Sequence, residues 1–515
     1  MPDTRRELAE LLLAYVRARR WFRGKSRTIR SARIADVIPL NQPGLNAVPS
    51  ALVLLEVSYN RGEPEPYAVP LTQVNDRALA TLETTLPHAI IARRLGLVDG
   101  LATGHAADAL MAIMRQRQTK PGEQGQLRGE PAALLDAIAA PALVVEVPQV
   151  EQTNSTLSFG GKVLLKIYRQ PAAGPNPEVE MGQFLTSHAR AGLAPRVLGA
   201  LTYVAGDGAN SSLAIAHEFL SNDGDAWSLA LREVRGTLDR AGDEAPPETA
   251  DDQMVGRFAG LAATLGRRTG ELHLALADSK DDPDFAPMPL GGDDRAALAA
   301  RVGRSLQETL ALLATTSTTA AVDPDPAVAA AVKRLSSPGG RDKIAALLAG
   351  FRDQPLDVVK MRTHGDLHLG QVLSRGDDFA FIDFEGEPAR ALSQRRARAS
   401  PLRDVMGMVR SFDYAPASVL RQTARGDSPR RHAWGRLWTR HVTQRYIRAY
   451  LDTVAGAPFI PGRPADLALM LSFYELEKVV YEVGYEANNR PDWLAIPMAG
   501  LLRIAGLQAE AEADQ

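Results

Sequence analysis

The sequence predicts an α+β fold of two lobes, strand-rich in its first part and mainly helical afterwards. Three observations predict it. Alternating apolar segments that suit half-buried strands (Leu52–Tyr59, Tyr67–Leu71, Lys162–Tyr168, Leu213–Leu220) all fall before residue 222. Beyond that point the apolar residues recur at helical spacing, as in Phe258-Ala-Gly-Leu-Ala-Ala-Thr-Leu-Gly266 and Leu306–Leu313. One strand pair interrupts the helices: Val372-Leu373 and Phe379–Ile382, around the turn Arg375-Gly-Asp-Asp378.

In chain order, Leu8, Leu11, Leu12, Tyr15 and Val16 make one stripe of an amphipathic helix, and strands follow; residues 1–105 read as an N-terminal α/β cap. Residues 106–222 read as an intermediate lobe, with Gln116–Pro131 as a polar, Gly-containing insertion. Residues 223–515 form the helical lobe. Within it Asp239–Asp252, acidic and carrying Pro246-Pro247, reads as a mobile loop, and Gln508–Gln515 as a frayed end.

Chemistry concentrates in Thr363-His-Gly-Asp-Leu-His-Leu-Gly-Gln371 and Phe381-Ile-Asp-Phe-Glu-Gly-Glu-Pro388. Asp366, Gln371 and Asp383 stand at the spacing of a phosphoryl-transfer site, with a base, a polar metal ligand five residues on, and a carboxylate past a short hairpin. Mg²⁺ takes oxygen ligands, so Asp383 and the amide oxygen of Gln371 suit it. Asp366 is placed to accept the proton of an acceptor hydroxyl. The competing reading, a loop whose Asp366 and His368 merely cap backbone, does not account for both ligands at these offsets. His364 reads as structural, bonded to backbone near Asp383.

Upstream, Lys166 lies on an alternating strand and suits the α/β-phosphates of ATP, with Glu180 on the next helix as its expected partner. Glu178, at that helix's start, fits a dipole role. The segment Glu151-Gln-Thr-Asn-Ser-Thr156 contains no G-x-G-x-x-G, yet its backbone with Asn154, Ser155 and Thr156 can donate to phosphate; a plain polar turn is the alternative. Backbone of Glu218 and Leu220 is positioned to meet adenine.

The 515 residues carry 59 basic and 61 acidic side chains, a net charge of −2, so no global field draws nucleic acid or a membrane. No cysteine is present, which excludes disulfides and thiolate chemistry and suits a cytoplasmic location. No signal peptide and no membrane-spanning stretch is visible.

Together these segments resemble the bacterial maltokinases, relatives of the aminoglycoside phosphotransferases with a bilobal protein-kinase-like fold. Arg20-Trp-Phe-Arg-Gly-Lys-Ser-Arg27, Gly174–Glu180, Leu265–His273, Pro401–Tyr414 and Tyr481–Trp493 carry the resemblance beyond the catalytic loop, although the chain is longer than expected of that family. The resemblance implies ATP- and Mg²⁺-dependent phosphorylation of maltose at its anomeric hydroxyl. It also implies a route from trehalose to α-glucan with trehalose synthase as partner. It turns one ambiguous helix face into a sugar site. Lys478, Tyr481, Glu482, Tyr485 and Asn489 oppose the apolar stripe Leu476, Val479, Val480, Val483 and Ala487, and periodicity alone allows either a sugar platform or a doubly packed helix. The expected acceptor contacts are Lys478, Tyr481, Glu482 and Arg490, with His368. Two alternatives stay open: a kinase of glucosamine or another amino sugar, and a non-catalytic module regulating trehalose synthase.

Overall fold

The computed structural model describes residues 2–40, 48–135, 145–146, 154–188, 192–242, 244–279, 281–319, 325–388, 390–422 and 428–507. The expected phosphate-loop residues Glu151–Thr153 and the expected frayed end Gln508–Gln515 lie outside the described residues. The chain forms two compact units, residues 1–187 with 194–221 and 390–392, and residues 188–193 with 222–389 and 393–515.

The first unit holds two antiparallel sheets. The five-stranded one runs in the order Ile29–Pro39, Ser50–Tyr59, Glu65–Gln73, Leu97–Asp99, Ile90–Ala92. Its Ser50–Tyr59 strand is apolar on both faces. Val53, Leu55, Val57 and Tyr59 pack with Leu12, Tyr15 and Val16 of the Pro2–Arg17 helix. Leu52 and Leu54 join a second core with the His105–Arg115 helix and the other sheet. A strand covered on both sides reads as a continuous apolar run, which is what Ala51-Leu-Val-Leu-Leu55 is. Buried polar bonds converge on Asp99 of this sheet: Arg169, two residues past the strand Val163–Ile167 of the other sheet, pairs with it at 2.7 Å, and Tyr15 of the Pro2–Arg17 helix donates to the same carboxylate at 2.8 Å.

The second, seven-stranded sheet begins Thr119–Pro121, Gly125–Pro131 and continues through Val197–Ala205, Asn210–Glu218, Val163–Ile167, Ser155–Phe159 and Val145–Glu146. The stretch expected as a polar insertion, Gln116–Pro131, is therefore two of its strands. The small residues that suggested a loop are demanded by packing: a Cβ on Gly129 would lie 2.2 Å from the carbonyl oxygen of Ile113.

The second unit is helical around the hairpin Val372–Arg375 and Asp378–Phe381, in the register Val372 opposite Phe381. The acidic Asp239–Asp252 segment, expected to be a loop, links the helices Ala226–Ala241 and Asp252–Val255, and several of its described residues contact the basic helix Pro429–Thr453. Trp434 Nε1 donates to the carbonyl of Glu244 at 2.9 Å, and His441 and Arg445 hold Asp252 at 2.7 and 3.2 Å. That same helix meets Phe258–Ala277 across glycines, and a Cβ on Gly266 would stand 2.1 Å from the carbonyl oxygen of Tyr446. No described helix is long and apolar enough to cross a membrane.

Gly266→Ala is expected to cost about 1–3 kcal/mol, the price of overpacking a close helix crossing, read as a lower midpoint in urea denaturation. An unchanged midpoint would mean that the two helices part without cost.

Candidate active site

In the second unit the loop from Thr363 to Gln371 is laid along the helix Leu402–Arg421. Asp404, buried, accepts from the backbone N–H of His364 at 2.8 Å and of Gly365 at 2.9 Å. One turn on, Gly407 makes room for the carbonyl of Leu367, which would lie 2.5 Å from any Cβ there. Ser411, a further turn on, accepts from the N–H of Leu369 at 3.3 Å. Positions 404, 407 and 411 share one helix face, so a single helix sets the loop's path. Asp404 is held from behind by His273 Nε2 at 3.2 Å, and Tyr450 meets the other ring nitrogen at 3.0 Å. Burial acts to raise the Asp404 pKa, but His273, His364 and the N–H of Gly365 outweigh it and keep the carboxyl below its ordinary range. Nothing in the sequence assigns Asp404 this role, because its partners are backbone groups some 40 residues away in the chain.

The loop delivers Asp366, whose Oδ1 lies 3.5 Å from Lys478 Nζ. Burial pushes the Asp366 pKa up. Lys478, then His368 and His364, pull it down further, and the net shift is downward. Asp366 is thus an ionised carboxylate at neutral pH, the form able to accept a proton. His364 Nε2 meets the carbonyl of Ile382 at 2.9 Å, as expected, which fastens the loop to the strand end before Asp383. Asp383 has φ of +64°, a left-handed backbone that a non-glycine residue adopts at a cost of about 1–3 kcal/mol. In that conformation its Oδ2 accepts from Gln371 Nε2 at 3.0 Å. The hairpin therefore brings Gln371 and Asp383 together at its open end. Their oxygen donors fit a hard cation such as Mg²⁺.

His368 takes a bracing position: its Nδ1 accepts from the N–H of Gly370 at 3.0 Å. Burial is the main cause that lowers its pKa, so its ring is neutral. On the Pro464–Asn489 helix, Lys478 Nζ sits 5.0 Å from the centre of the Tyr481 ring, and Glu387, after burial, raises the Tyr481 pKa. These two face Asp366. The other expected sugar contacts on this helix do not. Glu482 is buried and bound by Arg410 Nε at 2.9 Å, so it is a core ion pair. Arg490 is held by Glu486 at 2.7 Å. It follows Lys478 by twelve residues, about 18 Å of helix.

In the first unit, Lys166 on the Val163–Ile167 strand pairs with Glu178 at 2.8 Å. The expected partner was Glu180. Two residues turn a helix by about 200°, so the two carboxylates point to opposite sides and Glu178 has the inward phase. Tyr168 also donates to Glu178 at 2.9 Å, and His217 stands 3.5 Å away. Burial raises the Glu178 pKa, but Lys166 and His217 overcome it and hold the carboxyl well below its usual range. Ser155 and Thr156, expected in a phosphate loop, belong to the strand Ser155–Phe159, where Ser155 Oγ accepts from Arg169 at 2.8 Å; Asn154 precedes it. The N–H of Glu218 is taken by the carbonyl of Arg196 at 2.9 Å, and its carboxylate binds the Arg196 guanidinium. Leu220 is buried two residues beyond that strand.

Comparison with known proteins agrees with this architecture. Residues 15–110 match the maltokinase N-terminal cap domain. A glucosamine kinase of Streptacidiphilus jiangxiensis is 27% identical over 478 residues, 92% of this chain and 96% of that protein. A glucosamine kinase of Mycolicibacterium smegmatis is 25% identical, over 68% of this chain and 77% of its own length. A solved glucosamine kinase in complex with glucosamine, ADP and inorganic phosphate superimposes with a TM-score of 0.61 at 21% identity, over 95% of this chain and 98% of that one. The fold is thus the α+β fold of the solved glucosamine kinases, with an N-terminal cap domain and a helical C-terminal region.

Replacing Lys478 by Met removes the cation that depresses the Asp366 pKa. The pKa then rises, more of the carboxyl is protonated at a given pH, and the acid limb of kcat/KM moves to higher pH. An acid limb that stays in place would remove Asp366 as the group it reports.

Proposed function

We propose that the chain is an ATP-dependent sugar kinase, and that its acceptor is maltose, phosphorylated at the anomeric hydroxyl. The observation that carries the kinase reading is the ionised Asp366, held beside Lys478 on a loop that also presents Gln371 to Asp383. Asp366 takes the hydroxyl proton, and the oxygen so freed attacks the γ-phosphorus while the bond to the bridging oxygen of ADP breaks. Lys478 neutralises the Asp366 carboxylate. Lys166, oriented by Glu178, would bind phosphate oxygens. Asp383 and Gln371 would hold Mg²⁺, which when bound offsets phosphate charge.

Maltose is supported by the match of the cap to the maltokinase N-terminal cap domain and by the motifs Pro401–Tyr414 and Tyr481–Trp493. In this reading the product, maltose 1-phosphate, feeds α-glucan synthesis, with trehalose synthase as supplier and partner. A second reading, glucosamine as acceptor, rests on the relative that aligns over 92% of this chain.

Two experiments test this. Asp366→Asn is expected to keep the fold and lose about 10²–10⁴-fold in kcat, the usual worth of a positioned base; near-parental turnover sinks the assignment. Free sugars assayed with ATP and Mg²⁺ by ADP release, with phosphorus NMR of the product, are expected to single out maltose and a phosphate at C1. A product from glucosamine alone would replace maltose by the second reading, and nucleotide binding without turnover on any sugar would leave a regulatory module.

A further inference from the structure

The segment Arg20–Arg27 divides into two halves with different fates. Trp21 and Phe22 are buried and pin the cap: Trp21 packs 6.3 Å from the Tyr15 ring and 6.1 Å from Tyr67, and Phe22 lies 5.2 Å from Tyr67. The following turn, Gly24–Ser26, is pressed onto Tyr59, whose hydroxyl would stand 2.2 Å from a Cβ on Gly24. That contact fixes the backbone from which Lys25 projects. Lys25 then borders a cleft of about 340 Å³ with Arg17, Arg27 and Thr28, over an apolar floor that includes Phe22 and Ile29.

The cleft's charge is out of keeping with the rest of the chain. Between Arg17 and Arg33 there are eight cations and no carboxylate, in a protein of net charge −2. Several of these cations are satisfied locally. Arg27 pairs with Glu65 at 2.6 Å and lies 3.5 Å from the centre of the Tyr59 ring, and Arg33 pairs with Glu56 at 2.8 Å. Arg17 and Lys25 are exposed, and among the described residues neither is held by a carboxylate. Two uncompensated cations thus face one concavity whose third cation is already locked in place.

We infer that this cleft of the cap binds a small phosphate monoester of sugar size. A phosphate dianion matches two facing cations, which is the charge the cleft lacks. A concave site of this volume sits at the lower end of the roughly 300–1,000 Å³ of small-ligand sites, room for one sugar and one phosphate but tight for a nucleoside triphosphate. The apolar floor suits a sugar ring face, and Thr28 supplies a hydroxyl beside the phosphate. A flat acidic protein surface would not enter such a cleft. The inference stands apart from the kinase reading, since it uses none of the residues assigned there.

The test is equilibrium binding of glucose 1-phosphate to the full chain in metal-free buffer. Saturable binding at or below about 1 mM is expected, displaced by inorganic phosphate and not by glucose, and weakened by added salt. The double variant R17Q/K25Q should bind at least about tenfold more weakly, with an unchanged thermal midpoint since both side chains are exposed. Asp383→Ala should bind as the parent does, which separates this cleft from the candidate active site. No saturable binding, displacement by glucose, or parental affinity in R17Q/K25Q would overturn the inference; so would loss of binding in Asp383→Ala.

Discussion

The loop that carries Asp366, the proposed base, depends on one buried carboxylate. Asp404 receives two backbone N–H groups of the loop on separate oxygens, and the ring of His273 on one of them. A hydrogen bond to a charged acceptor contributes about 1.5–3 kcal/mol, and leaving such N–H groups unpaired in the interior costs a similar amount each. Before its one 3-10 turn, Leu369–Gln371, the loop has no regular structure of its own to hold its path. Gly365, at φ +83°, lets the chain turn immediately after the two bonded N–H groups, so Asp366 emerges directly from the anchored point. Rigidity at Asp404 is thereby passed to Asp366 through two residues.

Much of this was legible in the sequence, and what was not has a common cause. The stretch Thr363–Pro388 is local: its hairpin, the meeting of Gln371 with Asp383 and the bond of His364 to backbone near Asp383 all follow from spacing within about two dozen residues. The strand of Lys166 is equally plain from alternation. Helix phase was harder. Choosing Glu180 over Glu178 required knowing which face of the helix turns inward, and its first turn carries both carboxylates. Asp404 illustrates the remaining limit, since a residue that acts through distant backbone leaves no pattern of side-chain types.

The Pro464–Asn489 helix shows why a polar stripe is a weak guide. Glu477, Glu482 and Glu486 are all buried. Each has a specific cation: Arg301 for Glu477 at 2.7 Å, Arg410 for Glu482, and Arg490 for Glu486. Burying such carboxylates is unfavourable unless each is paired, and a pair broken by removal of one partner costs about 3–5 kcal/mol. Periodicity sees these glutamates as a solvent-facing or ligand-facing row. Only the arginines, Arg301 and Arg410 from other helices and Arg490 from the end of this one, convert them into core. Lys478 and Tyr481 escape this fate because the loop bearing Asp366, not another helix, covers that part of the face.

That arrangement bears on the acceptor. Lys478 stands 3.5 Å from Asp366, the carboxylate proposed to receive the proton, so any group brought to Asp366 also approaches an ammonium. An ammonium brought there meets repulsion from Lys478 and attraction from Asp366, each roughly 4 kcal/mol at about 4 Å and an effective dielectric near 20. The two oppose each other, so this ion pair by itself selects neither a charged nor a neutral acceptor. It constrains where an amine can lie, on the Asp366 side and away from Lys478, more than whether the acceptor carries one.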